Sequence, residues 1–273
     1  FILTEMKDKE REFDDVLKEA QELGYAEADP TFDVEGIDAA HKLTILASLA
    51  FGIPLQFERC YTEGITRIEP LDILYAGQLG YRIKHLGVTR MTDAGVELRV
   101  HPTLIPEKRL IANVDGVMNA VLVQGDAVGP TLYYGAGAGA MPTASAVVAD
   151  IIDVVRVLTA DPGNRVPHLA FQPDALSDVS VVGMDEVQSS YYMRLAVSDE
   201  SGVLADITEL LGHSGISIEA VLQEPLPEGA RTATVVLLTK VTREGDFRAV
   251  LEQIRSLSSV VDHPVWFRAE SLA

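Results

Sequence analysis

The stretch Ala20–Lys42, AQELGYAEADPTFDVEGIDAAHK, closes one helix and opens the next. It also brings Glu27, Asp33, Asp38 and Lys42 within sixteen residues. Upstream, Phe13, Val16, Leu17, Ala20 and Leu23 recur at the helical period, which predicts one helix over Leu3–Leu23, stopped by Gly24. Downstream, a second helix is expected from about Ile37 to Phe51, stopped by Gly52 and Pro54. Between them lies an acid-rich loop from Tyr25 to Glu35, ending at Gly36. Asp38 and Lys42 stand four apart where the second helix starts, so they share a face. Ile45, Leu46 and Leu49 continue that face within about 100° of arc, with Ala40, Thr44, Ala47 and Ser48 opposite. The pair is therefore expected at the end of an apolar stripe that points to the core. An Asp/Lys pair at this spacing is ordinarily a solvated surface pair contributing about 0.3–0.5 kcal/mol. The stripe and the two acids upstream argue for chemistry instead. A lysine held near acids at the rim of an apolar pocket can donate a proton, and the acids can hold an ammonium.

Working outward, a third helix fits Pro70–Leu79, stopped by Gly80. The texture then changes to period two. Arg82–Arg90 and Val96–Thr103 read as strands joined at Thr92–Gly95, and Met118–Gln124 and Val128–Tyr134 as a second hairpin around Gly125-Asp126. A glycine run follows, then a helix from Pro142 to about Thr159, ended by Asp161-Pro-Gly-Asn164. Residues 161–190 read as a linker or as an arm packed on the first domain. From Tyr191 the order is strand (Tyr192–Val197), helix (Leu204–His213), strand (Ile216–Gln223), strand (Thr232–Thr242), helix (Asp246–Leu257) and strand (Val265–Arg268), with Pro225–Gly229 joining the middle strands. The expected class is α+β. Residues 1–160 carry helices on a mainly antiparallel or mixed sheet, and 191–273 form a ferredoxin-like βαββαβ unit.

Composition narrows the function. A net charge of −19 argues against nucleic acid and against anionic membranes as partners. The apolar run Ile45–Leu55 is too short to span a bilayer. Cys60 is the only cysteine, so no internal disulfide forms and a reducing cytoplasm is the natural setting. The six histidines show no paired ligand spacing, so no transition-metal site is expected. His41 diverges from its neighbour Lys42 on the helix and is assigned a structural role. Gly135-x-Gly137-x-x-Ala140 follows a strand and opens a helix, superficially like a dinucleotide fingerprint, but no second strand with an acid about 20 residues on follows it.

Ala20, Gly24, Tyr25, Asp29-Pro30, Asp33, Gly36, Asp38 and Lys42 fit the signature of the homoserine dehydrogenase family at every fixed position. The run Gly135–Ala146 and the opening Phe1–Met6 also resemble that family, the latter its first helix after the cofactor domain. Asp199-Glu-Ser-Gly202-Val-Leu resembles the first loop of ACT domains, which bind amino acids. The resemblance implies interconversion of aspartate β-semialdehyde and homoserine with NAD or NADP. It implies Lys42 as proton donor, Asp38 orienting it, Glu27 and Asp33 on the substrate ammonium, and Gly24 and Tyr25 lining the site. Gly135, Gly137 and Gly139 would close on the cofactor from the substrate-domain side. Asp199, Gly202, Gly215 and Ile216 would form an effector site, most simply for threonine, completed when two such domains pair. A homodimer or homotetramer is expected, built on the sheet between Arg82 and Tyr134. The family's nucleotide-binding domain is expected to precede Phe1 in a longer protein. A different class stays open: an amino-acid-binding and oligomerisation module without turnover.

Overall fold

The computed structural model describes residues 1–137, 139–159, 167, 170–224 and 231–272. Two helices, not one, precede Gly24: α1 (Ile2–Lys9) and α2 (Phe13–Glu22). Glu10 ends α1 in the left-handed conformation, with φ 51. That break turns Met6 of α1 and Phe13, Val16 and Ala20 of α2 inward. Leu23, on the expected stripe, is exposed. The chain continues through α3 (Thr31–Val34), α4 (Ile37–Phe51), β1 (Tyr61–Thr62), α5 (Pro70–Gln78), β2 (Tyr81–Thr92), β3 (Gly95–Pro106), β4 (Met118–Gly125), β5 (Gly129–Ala136) and α6 (Ala140–Leu158). It ends with β6 (Gln188–Ser198), α7 (Val203–His213), β7 (Ile218–Gln223), β8 (Thr232–Thr239), β9 (Thr242–Arg243), α8 (Glu244–Arg255) and β10 (Val265–Ala269).

A single eight-stranded mixed sheet runs through both halves, which the sequence reading divided into separate sheets. β10 is the seam. Arg268 and Ala269 pair in parallel with Thr103 and Leu104 of β3, while Val265–Ala269 pair antiparallel with Ser190–Arg194 of β6. The C-terminal strand order β10-β6-β8-β7, with α7 and α8 between strands, is the ferredoxin-like arrangement. Both faces of this unit are covered. Tyr191, Met193, Leu195 and Val197 pack with Ile207 and Leu211 of α7 and Phe247 and Val250 of α8. The alternate positions Tyr192, Val236, Leu238 and Phe267 pack with Met6, Phe13, Val16 and Tyr75 of the first half. Burial on both faces explains why β8 reads TATVVLLT, with little polar alternation.

The described part of 161–190 lies along the first half. Ser177 N–H donates to Gly52 O at 2.8 Å, Val96 N–H to Ser180 O at 2.9 Å, and Val182 N–H to Val96 O at 2.9 Å. The turn expected at Asp161–Asn164 and the loop Pro225–Gly229 fall outside the described residues, as does Ala138 of the glycine run. β4 and β5 form a separate two-stranded sheet. No residue of α6 is buried.

The seam holds buried charge. Arg99 donates to Glu97 (3.0 Å), Glu270 (2.6 Å) and His101 Nε2 (2.7 Å). His101 is fully buried and accepts from an arginine, so its ring is neutral. Burial, with Arg268 and Arg99 nearby, holds its pKa far below the ordinary value; burial also lowers that of His85. The unfolded chain takes up these protons near pH 6.5 and the native chain only at lower pH. Stability is therefore complete above about pH 6.5 and falls below it, by up to about 1.4 kcal/mol per pH unit for each such histidine. Urea unfolding at about pH 7.5 and 5.5 checks this; His101→Gln should remove its share of the loss, and an unchanged slope would count against a neutral His101.

Candidate active site

α2 stops at Gly24, φ 74, where the N–H groups of Tyr25 and Ala26 both donate to Ala20 O, at 2.8 and 3.2 Å. Gln21 pins the following loop by donating to the carbonyls of Glu27 (3.0 Å) and Ala28 (3.3 Å). The Asp29 carboxylate accepts from the N–H and hydroxyl of Thr31 and fixes the start of α3. α4 begins at Gly36, φ 79. A Cβ there would lie 2.7 Å from the His85 ring and 3.0 Å from Val100, so only glycine lets the chain come this close to β2 and β3. His41 stacks between Phe57 (3.9 Å) and Phe32 (5.8 Å), a packing role.

The helix face bearing the charged pair corrects the sequence expectation. α4 buries Ala40, Leu43, Thr44, Ala47 and Ser48, while Ile45, Leu46 and Leu49 are 47%, 40% and 39% exposed. Close helix–sheet contact selects the small side chains Ala40, Thr44, Ala47 and Ser48, and Leu43 fits only because Gly87 of β2 lies beneath it. The larger apolar residues therefore face outward on the same side as Asp38 and Lys42. Lys42 Nζ donates to Asp38 at 2.5 Å, and the Lys42 side chain is 71% exposed.

A cavity of about 330 Å³ opens beside this helix start, lined by Ala20, Tyr25, Ala26 and Asp33 and by Lys84, His85 and Asn119. Partial desolvation raises the Asp33 pKa although the residue stays exposed, and Asp38 and Glu27 raise it further, while Lys42 opposes them. Asp33 is thus the centre of the acid cluster; Glu27, Asp38 and Lys42 surround it without lining the cavity. Lys84 donates to Val114 O (2.6 Å) and Asp115 (2.8 Å), and burial lowers its pKa against the pull of Asp115. His85 Nε2 bonds to Glu63 O at 2.9 Å, so Nε2 carries the proton and Nδ1 is left as an acceptor. Sequence reasoning missed Lys84, His85 and Asn119. They come from β2 and β4, and only strand pairing brings them to the loop.

The glycine run reaches the same place. Gly135 pairs with Asn119 across β4 and β5, and a Cβ on Gly137 would lie 1.7 Å from the Asn119 amide. Gly139, φ 116, caps α6. In the C-terminal unit, Gly202 (φ 102) caps the start of α7, next to exposed Asp199. Gly215 lies past the other end of this eleven-residue helix, roughly 16 Å away. Ile216 is buried in the core. One chain therefore does not bring the expected effector residues together.

A cavity lined by Asp33, with further charged groups around it, lies on a mixed sheet that continues into a ferredoxin-like unit, an α+β class of two joined parts. Residues 191–259 match the ACT domain, and residues 1–152 match the family described as homoserine dehydrogenase. The chain belongs to the homoserine dehydrogenase family. Homoserine dehydrogenase of Pseudomonas aeruginosa is 59% identical over 272 residues, covering 100% of this chain and 63% of the relative. That of Neisseria gonorrhoeae is 57% identical, covering 100% and 62%. The crystal structure of a homoserine dehydrogenase from Thiobacillus denitrificans superposes with a TM-score of 0.93 at 61% identity, covering 100% of this chain and 62% of that one. The chain thus spans a little over three-fifths of the length of the relatives it matches.

Proposed function

We propose that this chain supplies the substrate and regulatory parts of an NAD(P)-dependent homoserine dehydrogenase, which interconverts L-aspartate 4-semialdehyde and L-homoserine. The observation that carries this reading is the acid cluster centred on Asp33, with Lys42 paired to Asp38 beside it. A nicotinamide group, when bound, supplies the hydride. The remaining work falls to residues of this chain. Asp33 and Glu27 hold the substrate's ammonium, and Gly24 and Tyr25 shape the approach. Lys42, oriented by Asp38, stabilises the alkoxide that develops at the carbonyl oxygen and gives it a proton. The reverse reaction returns that proton to Lys42. Gly135, Gly137 and Gly139 fit contact with one side of a dinucleotide, since Gly137 leaves no room for a side chain beside Asn119 and Gly139 offers the free amides of the α6 N-terminus. Residues 1–160 form the substrate unit, 161–190 the connector and 191–273 the regulatory unit. The setting is the cytoplasm, in threonine and methionine biosynthesis.

The regulatory site needs two copies. Asp199 and Gly202 at one end of α7 would meet Gly215 and Ile216 of a second chain, with threonine held between an acid and free helix amides. The β4–β5 sheet supports the same assembly. Val121, Val123 and Tyr133 share one face of it and stand 40–67% exposed, an apolar surface of the kind a partner covers. Light scattering should give a dimer or tetramer. Calorimetry should then show threonine binding that weakens on dilution to monomer and is lost in Asp199→Ala. A monomer at every concentration, or binding indifferent to Asp199, overturns the paired site. The module without turnover remains the alternative; turnover by the longer protein decides against it.

A further inference from the structure

The seam joins the C-terminal unit to the loop that carries the acids. Arg268 of β10 donates through Nε and Nη2 to the two oxygens of Glu244, each at 2.6 Å, and through Nη1 to Glu63 at 3.0 Å. Arg268 is 1% exposed and Glu244 fully buried. Glu63 stands directly after β1, and its neighbours are locked to the site. A Cβ on Gly64 would lie 2.4 Å from the Glu35 carboxylate and 2.6 Å from Val34 O. Ile65 N–H donates to Val34 O at 2.9 Å. The carbonyl of Glu63 accepts from His85, the ring that packs on Gly36. Residues 63–65 and His85 therefore hold residues 34–36, which lie between Asp33 and Asp38. The acids themselves have no such anchor: Glu27 and Asp33 are exposed, and Asp38 pairs only with exposed Lys42 among the described residues.

We propose that Arg268 is a positioning residue for this site. By gripping Glu63 it sets residues 63–65 against 34–36, and so the placement of Asp33 and Asp38. α8 and β10 of the ACT unit are thereby mechanically tied to the acid cluster. A purely architectural arginine would only hold the two units together. Arg194 serves as that comparison: it too joins the units, from β6 to Asp72 of α5 (2.6 Å) and Glu69 just before it (2.7 Å), but its partners lie outside residues 33–42 and 63–65. The functional meaning rests on the site proposed above; the mechanical link does not.

Hydrogen exchange read by mass spectrometry on this chain tests the link without any ligand. Glu63→Gln and the charge-conserving Arg268→Lys should each raise amide exchange over residues 33–40 on the order of tenfold, the effect of losing one charge-assisted hydrogen bond. Arg194→Lys should leave that segment unchanged. No change there, or an equal change in Arg194→Lys, overturns the proposal. In the longer enzyme, Glu63→Gln should raise KM for homoserine several-fold and, because Asp38 orients Lys42, also lower kcat, though by less than Lys42→Ala does. Exchange that moves while KM stays fixed keeps the link and sinks the assignment of the acids to substrate.

Discussion

Lys42→Ala is expected to lower kcat by at least about 10²-fold in the enzyme that contains this chain, the usual cost of removing a general acid. The lysine sits where that loss would be clean. Its side chain is largely exposed and bonds only to Asp38 among the described residues, so the fold does not depend on it. As an exposed i,i+4 pair it contributes only a few tenths of a kcal/mol to stability. Activity and stability should therefore separate: urea unfolding unchanged, turnover nearly gone. Asp38→Asn should cost less, because it removes the partner that orients Lys42 and leaves the ammonium in place. Glu27→Gln should act mainly on KM. A near-normal kcat for Lys42→Ala at saturating semialdehyde, with unchanged unfolding, would remove Lys42 from the chemistry and return the pair to the ordinary solvated kind.

The local signals at Gly24, Gly36 and Gly52 placed α4 correctly, because each of those glycines adopts positive φ that other residues resist. The same sequence misled on which face of α4 is buried. Large apolar residues read as core, whereas the sheet accepts the helix at this distance through Ala40, Thr44, Ala47 and Ser48, with Leu43 admitted only over Gly87. The break at Glu10 was illegible because a non-glycine residue holds the left-handed turn. The C-terminal order of strands and helices was readable from alternation and turn residues, with ends shifted by a few residues. That β10 would also pair with β3 was not, since a two-residue parallel contact leaves no periodic trace. The acids of the site lie within one stretch and could be read from it. Lys84, His85 and Asn119 join it through pairing at long sequence distance, which one sequence does not encode in any local pattern.

Glu244→Ala should destabilise the fold by about 3 kcal/mol, the lower end of what removing one partner of a buried ion pair costs. Glu244 is fully buried and takes both forks of Arg268. It also opens α8, where a negative charge meets the positive end of the helix dipole. Without it the guanidinium stays buried with Glu63 as its remaining acid, itself shared with Arg67. Glu63 limits the damage, and the penalty sits low in the range for that reason. In urea the midpoint should fall by about 1 M or more at an ordinary dependence on denaturant. The companion variant sharpens the test. Replacing Glu244 and Arg268 together by leucine and methionine removes both charges and keeps the volume, so it should recover part of the loss that Glu244→Ala alone incurs. A midpoint shift below about 0.3 M for Glu244→Ala would mean that water reaches Arg268 and that the seam is not a dry ionic core. A double variant worse than the single one would show Glu63 to be the costlier orphan, and would make Arg268 the group on which this corner of the sheet depends.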